Sequence, residues 1–182
     1  KAKFKYLICI LAFLFLTACG GTVRTNMNFD DSFAGSRVMT YTLANQDFTS
    51  YVTGDLGTIQ STLTALCPKE IEITSVSQDD SNITAVLTLK FDSLEDYKKK
   101  VADILSAEGI DTVPEVVFLE PDSVFAKGVA YQENFSTKDL LNWMYNGIVD
   151  NNYVTSSYTS YIFSDNYASV TFNGTEYDAD GY

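Results

Sequence analysis

Three times along this chain, two runs of alternating apolar residues are followed by a stripe of apolar residues at steps of three and four. Alternation puts successive side chains on opposite faces of a strand, whereas steps of three and four gather them on one side of a helix. In the first unit Val23, Thr25, Met27 and Phe29 alternate, as do Met39, Tyr41 and Leu43, around the turn-rich Asp30-Asp31-Ser32-Phe33-Ala34-Gly35. Asp47 then precedes Phe48, Tyr51, Val52, Leu56, Ile59, Leu63 and Leu66, with Gly54 and Gly57 inside and Pro68 beyond. This predicts a hairpin followed by one interrupted helix or two short ones. The second unit pairs residues 70–76 with 82–91 across Gln78-Asp79-Asp80-Ser81 and continues into Leu94, Tyr97, Val101, Ile104 and Leu105, ending near Gly109. Ser93 with Asp96, or Asp92 with Glu95, supplies its capping box. The third unit pairs residues 115–119 with 123–135, then caps a helix with Ser136-Thr137-Lys138-Asp139 ahead of Leu140, Leu141, Met144 and Ile148. Past Asn152, strands are expected over residues 154–163 and 168–172, and Asn173-Gly174 favours a type I′ turn into a short return strand at 175–178.

Strand pairs joined by hairpin turns and interleaved with helices predict an α+β fold, with antiparallel sheets built from ββα units and helices packed on one face. A doubly wound parallel sheet is disfavoured, because the connections are turns rather than long crossovers. The units align poorly with one another beyond the strand ends Phe91-Asp92-Ser93 and Phe135-Ser136-Thr137, so the recurrence is one of structure and not of sequence.

Ahead of these units, Lys1, Lys3 and Lys5 precede an apolar run from Tyr6 to Leu16, then Thr17 and Ala18. That is the layout of a secretory signal, and the run is too short to cross about 30 Å of hydrocarbon as a helix. Leu16-Thr17-Ala18-Cys19 resembles the lipobox of bacterial lipoproteins. The resemblance implies cleavage between Ala18 and Cys19 and a diacylglyceryl group on the Cys19 sulfur, hence an extracytoplasmic chain anchored to the membrane by two acyl chains. The expected organisation is a signal peptide at 1–18, an anchor and tether at 19–22, one α+β domain at 23–106, and a continuation or second small α+β unit at 107–182. The chain does not open with Met, and Asp178-Ala179-Asp180-Gly181-Tyr182 offers no structural close, so it is read as a piece of a longer protein.

Three of the twelve basic residues leave with the signal while all twenty-four acidic ones stay, so the remainder carries a formal charge of −15. Such a surface repels phosphates, which excludes nucleic acid as a partner. Histidine is absent from all 182 residues, which excludes Ser-His-Asp and Cys-His catalysis and histidine-ligated zinc within this chain. Cys67 is left without an intramolecular disulfide partner and falls at a predicted helix end, the position of a structural thiol and not of an activated one. Glycine-rich phosphate loops, CxxC pairs and dinucleotide fingerprints are missing, so no cofactor is implied.

The acid pairs Asp30/Asp31, Asp79/Asp80 and Asp178/Asp180 all fall in turns and read as solvated turn acids without a calcium pattern. Lys98-Lys99-Lys100 reads as the solvent face of a helix, opposite Glu95, Asp96 and Asp103. The most suggestive group is aromatic. Trp143, Tyr153, Tyr158, Tyr161 and Tyr167, with Tyr145, Phe163, Phe172 and Tyr177 nearby, are candidates for a surface that binds a glycan or a protein, although aromatic residues also serve strands by propensity alone. The segment Phe33-Ala34-Gly35-Ser36-Arg37-Val38-Met39-Thr40, with the element order from about residue 23 to 106, resembles the LppM-like domain of extracytoplasmic lipoproteins. That resemblance implies a small assembly of sheet and helices with a binding role at the envelope.

The resulting expectation is a non-enzymatic envelope lipoprotein that binds a cell-wall glycan, a protein, or a hydrophobic small molecule held between sheet and helices. The alternatives are a histidine-independent carboxylate hydrolase acting on envelope glycans, and the structural N-terminal part of a longer surface protein.

Overall fold

The structure, a computed structural model, describes residues 20–119, 130–155, 157–163 and 165–178. Cys19, Ala18 and the rest of the expected signal, together with most of the strand expected at 123–135, lie outside the described residues.

The expected α+β architecture is present. Strands β1 (Thr22–Phe29) and β2 (Gly35–Ala44) form the first hairpin, followed by two short helices, α1 (Asn45–Tyr51) and α2 (Leu56–Leu66). The second hairpin, β3 (Glu72–Gln78) and β4 (Asn82–Phe91), leads into α3 (Leu94–Ala107). Strands β5 (Val116–Leu119) and β6 (Ala130–Glu133) make a separate two-stranded sheet and precede α4 (Thr137–Leu140) and α5 (Asn142–Asp150). The chain closes through α6 (Thr159–Ile162), β7 (Asp165–Phe172) and β8 (Thr175–Asp178).

The main sheet runs β3-β4-β2-β1-β7-β8. Every neighbouring pair is antiparallel except β1 with β7, which is parallel from Thr22 opposite Asp165 to Phe29 opposite Phe172. On one face of that parallel seam the Asn26 amide donates to Ser169 Oγ at 2.8 Å and Thr171 Oγ1 at 3.0 Å. On the other face Val23, Met27 and Phe29, Met39, Tyr41 and Leu43, and Leu87, Leu89 and Phe91 are buried and take the helices. Helix α3 contributes Tyr97, Val101, Ile104 and Leu105, all fully buried, at roughly 2 kcal/mol each for the apolar surface removed from water.

The helix starts follow their caps. Ser93 Oγ accepts from the Asp96 amide at 3.1 Å, and Ser136 with Asp139 forms a complete capping box. Asn173 and Gly174 both take positive φ, 46° and 81°, as the hairpin between β7 and β8 requires.

The structure corrects the expectation of a strand over residues 154–163. Among the described residues of this span only Val154 makes a bridge, to Val52, and residues 159–162 turn into α6. The outer edge of β1 is taken by β7. Thr159 and Ile162 are instead buried at helical spacing, so tertiary packing overrides the β propensity of the Tyr- and Thr-rich segment.

Candidate functional site

Helices α1, α2 and α5 do not lie flat on the sheet. They enclose an apolar cavity of about 90 Å³ that opens to solvent on one side. Its floor is the helix-facing side of the sheet, with Tyr41 and Leu43 from β2, Ile73 and Val76 from β3, and Ile83, Ala85 and Leu87 from β4. Its walls are Phe48 and Val52 flanking the end of α1, Leu56, Ile59, Gln60 and Leu63 from α2, and Trp143, Met144 and Ile148 from α5.

Local sequence explains why these walls stand where they do. Asp55 caps α2 by accepting from the Thr58 amide at 2.9 Å, which starts the helix at Leu56 and turns Ile59 and Leu63 inward. Gly147 lets α5 approach α2 closely, since a Cβ there would press on Leu63 and Leu66. Asn152 ends α5 at φ 58°. The amides of Asn152 and Tyr153 donate to the carbonyls of Val149 and Ile148, a Schellman arrangement that swings Tyr153 and Val154 onto the pocket.

The lining is almost entirely hydrocarbon, and most of its few polar atoms are occupied. Tyr41 Oη donates to the Ile162 carbonyl at 2.7 Å, and burial first, with the charge of Asp47 second, holds that phenol well above its ordinary pKa. Tyr153 Oη shares a hydrogen bond of 2.8 Å with Thr62 Oγ1. Trp143 Nε1 is the exception, a buried donor with no hydrogen-bond partner. A buried N–H without an acceptor costs about 1–3 kcal/mol, a local cost carried by the packing around Trp143.

The five candidate aromatics therefore do not form one surface. Trp143 and Tyr153 line the pocket. Tyr158 and Tyr161 lie on the exterior and stack with Tyr51, whose ring centroid is 4.8 Å from Tyr158 and 5.5 Å from Tyr161. Tyr167 stands apart on β7 with the Arg24 guanidinium 4.8 Å from its ring centre. Phe172, read with them, belongs to the core. Sequence reasoning missed Tyr51 as a member of the outer cluster, since its helical spacing from Phe48 and Val52 had placed it on the buried stripe.

A second feature, also missed, is a buried polar knot. Arg37 Nη1 donates to Glu133 Oε2 and to Tyr97 Oη, both at 2.7 Å, and Nη2 donates to Thr137 Oγ1 at 2.7 Å. Glu133 Oε1 accepts from the hydroxyls of Tyr97 and Tyr131. Burial alone would weaken the guanidinium's hold on its proton, but Glu133 and the two phenols more than reverse that and push its pKa up. Burial raises the pKa of both phenols. The knot ties β2, α3, β6 and α4 together. Its carboxylate and guanidinium are only 2% and 4% exposed, so it offers no surface to a substrate.

The remaining candidates are structural where they are described. Asp30 accepts from Ser32 and Ala34, and Asp79 from Ser81 and Asn82, each within its own turn. Lys98, Lys99 and Lys100 pair with Glu95, Asp103 and Asp96. Cys67 caps the end of α2, half-buried, with its thiol directed to the Ile71 carbonyl at 3.4 Å and its pKa pushed up to about 11 by burial. Among the described residues no group of acids and thiols could hold a metal ion, and no helix is long and apolar enough to cross a membrane. No family model, no curated protein and no solved structure matches this chain.

Proposed function

We propose that this chain is a lipid-anchored binding module on the extracytoplasmic side of a bacterial membrane, and that its ligand is an apolar small molecule or acyl chain seated between the sheet and helices α1, α2 and α5. The observation that carries the binding half is the cavity, lined by hydrocarbon from the sheet and three helices and open to solvent. A hydrocarbon lining selects by exclusion of water. None of the lining residues is acidic, so the pocket does not favour the carboxylate-hydrolase alternative. Support for the address comes from Leu16-Thr17-Ala18-Cys19 behind a basic and apolar leader, together with the resemblance to LppM-like domains over residues 23–106.

Trp143 is the only tryptophan in the chain, so its fluorescence reports on the pocket directly. Titration with a bromine-substituted fatty acid should quench that emission saturably, and an unbrominated acid should compete the quenching away. Emission indifferent to any apolar probe would sink the binding reading. Intact-mass measurement of the protein taken from cells tests the address separately: a bare thiol at Cys19, or an uncleaved leader, would refute it.

A further inference from the structure

The path of the chain at Gly20 brings the expected anchor and the outer tyrosine cluster together. The Gly20 amide donates to Asp47 Oδ2 on α1 at 2.9 Å, and the Gly21 amide donates to the Tyr161 carbonyl at 2.7 Å. Gly21 sits so close to α6 that a Cβ would collide with the Ile162 carbonyl, which makes this attachment specific to glycine. Covalent geometry keeps the Cα of residue 19 about 3.8 Å from that of Gly20. An acyl anchor on Cys19 therefore holds α1 and α6 at the bilayer surface without any flexible spacer. Beside that attachment stand two exposed rings, Tyr161 on α6 and Tyr158 just ahead of it, with the half-buried Tyr51 at the end of α1 packed between them. Tyr158 is 42% and Tyr161 47% exposed.

We propose that Tyr51, Tyr158 and Tyr161 form a membrane-interface contact that seats the domain on the lipid surface beside its anchor; the inference rests on the anchoring at Cys19 proposed above. Tyrosine suits this position because its ring is apolar and its hydroxyl stays wet at the headgroup level. Charge favours rings over phosphate recognition. No lysine or arginine occurs between residues 38 and 68, or after Lys138, so neither stretch of chain that supplies the cluster can pair with anionic headgroups. The rings also stack on one another, Tyr51 with Tyr161 at an interplanar angle of 20°, which occupies faces that a glycan platform would leave open. The contact has a consequence for the pocket, because residues 48 and 52 line it while Tyr51 belongs to the cluster. The wall of the pocket and the lipid contact therefore share one short segment.

The test is enzymatic iodination of the full chain reconstituted in phosphatidylcholine vesicles, read tyrosine by tyrosine by mass spectrometry. Tyr167, 49% exposed on β7, is the internal standard. Each ring that buries about 50 Å² in the interface shifts its partitioning roughly eight-fold, so the two exposed cluster tyrosines, Tyr158 and Tyr161, should label at least several-fold more slowly than Tyr167. Adding phosphatidylglycerol should not strengthen the protection. A chain that floats with the vesicles while its cluster labels as fast as Tyr167 overturns the contact and leaves the anchor standing. A chain that does not float overturns both. Protection that depends on added peptidoglycan fragments, or that vanishes when the protein is diluted within the bilayer, also overturns the proposal, in favour of a glycan or of a second copy. Quenching of Trp143 in the same vesicles reads the pocket independently.

Discussion

Removing the carboxylate of Glu133 should be among the most damaging single changes available to this fold. Glu133→Ala leaves the Arg37 guanidinium without its counter-charge in a site where its side chain is 4% exposed, and it strips the acceptor from the hydroxyls of Tyr97 and Tyr131. Breaking a buried ion pair from one side costs about 3–5 kcal/mol, because the desolvated partner charge remains. Domains of this size hold only about 5–15 kcal/mol in total. With a melting shift of roughly 2–4 °C per kcal/mol, a loss of about 4 kcal/mol lowers Tm by about 8–16 °C. The measurement is urea and thermal unfolding followed by far-UV circular dichroism. The companion variant separates charge from packing: Arg37→Met with Glu133→Leu removes both ions and should recover most of the loss, since a buried pair rarely outperforms apolar residues of similar volume. A cost for Glu133→Ala below about 1 kcal/mol would refute the reasoning, because that figure belongs to surface pairs. Equal damage from the single and double variants would show that shape, and not charge, is what the knot supplies.

Three further outcomes are expected. Ala85→Phe, which places a ring on the pocket floor, should abolish quenching of Trp143 by brominated fatty acid while shifting Tm by only a few degrees; undiminished quenching would place the ligand elsewhere. Backbone amides of Ser81 and Asn82 hold the Asp79 carboxyl below its ordinary value of 3.8, so its contribution is full above that value and is lost as pH falls through the lower folded value. Asp79→Asn should therefore flatten the fall in stability between pH 4 and pH 2, and an unchanged slope in acid urea titrations would count against this assignment. Burial moves the Cys67 thiol to about 11, so at pH 7.5 it should react with an aromatic disulfide reagent on the order of a hundred-fold more slowly than a thiol of ordinary pKa, with full reactivity regained in urea; rapid labelling of the folded protein would contradict the geometry.

What could be read from the chain beforehand was what local chemistry dictates. Strand β4 runs over 82–91 as its alternation predicts, α3 starts at the serine cap, and the Asn173-Gly174 turn has the expected positive φ values. The knot was legible in part, because Arg37 shares parity with Met39, Tyr41 and Leu43 and so had to face the core. Its partner was not, since Glu133 lies 96 residues away and nothing local marks the pairing. The parallel match of β1 with β7 escaped notice for the same reason, and without it the segment after Asn152 looked free to extend. The pocket arises where side chains of α2, α5 and the sheet leave space unfilled, which no motif marks. Aromatic composition pooled Trp143 and Tyr153, which line the pocket, with Tyr158, Tyr161 and Tyr167, which face other ways.

The seam between β1 and β7 also sets an order of assembly. Asn26 meets Ser169 across 143 residues, so β1 waits for β7 to be synthesised before its outer edge is covered. During that interval an eight-residue ribbon of open amides and carbonyls is available to any neighbouring chain. A protein built this way depends on being finished: a copy that stops short of β7 carries a template for sticking to its siblings, whatever the state of its pocket.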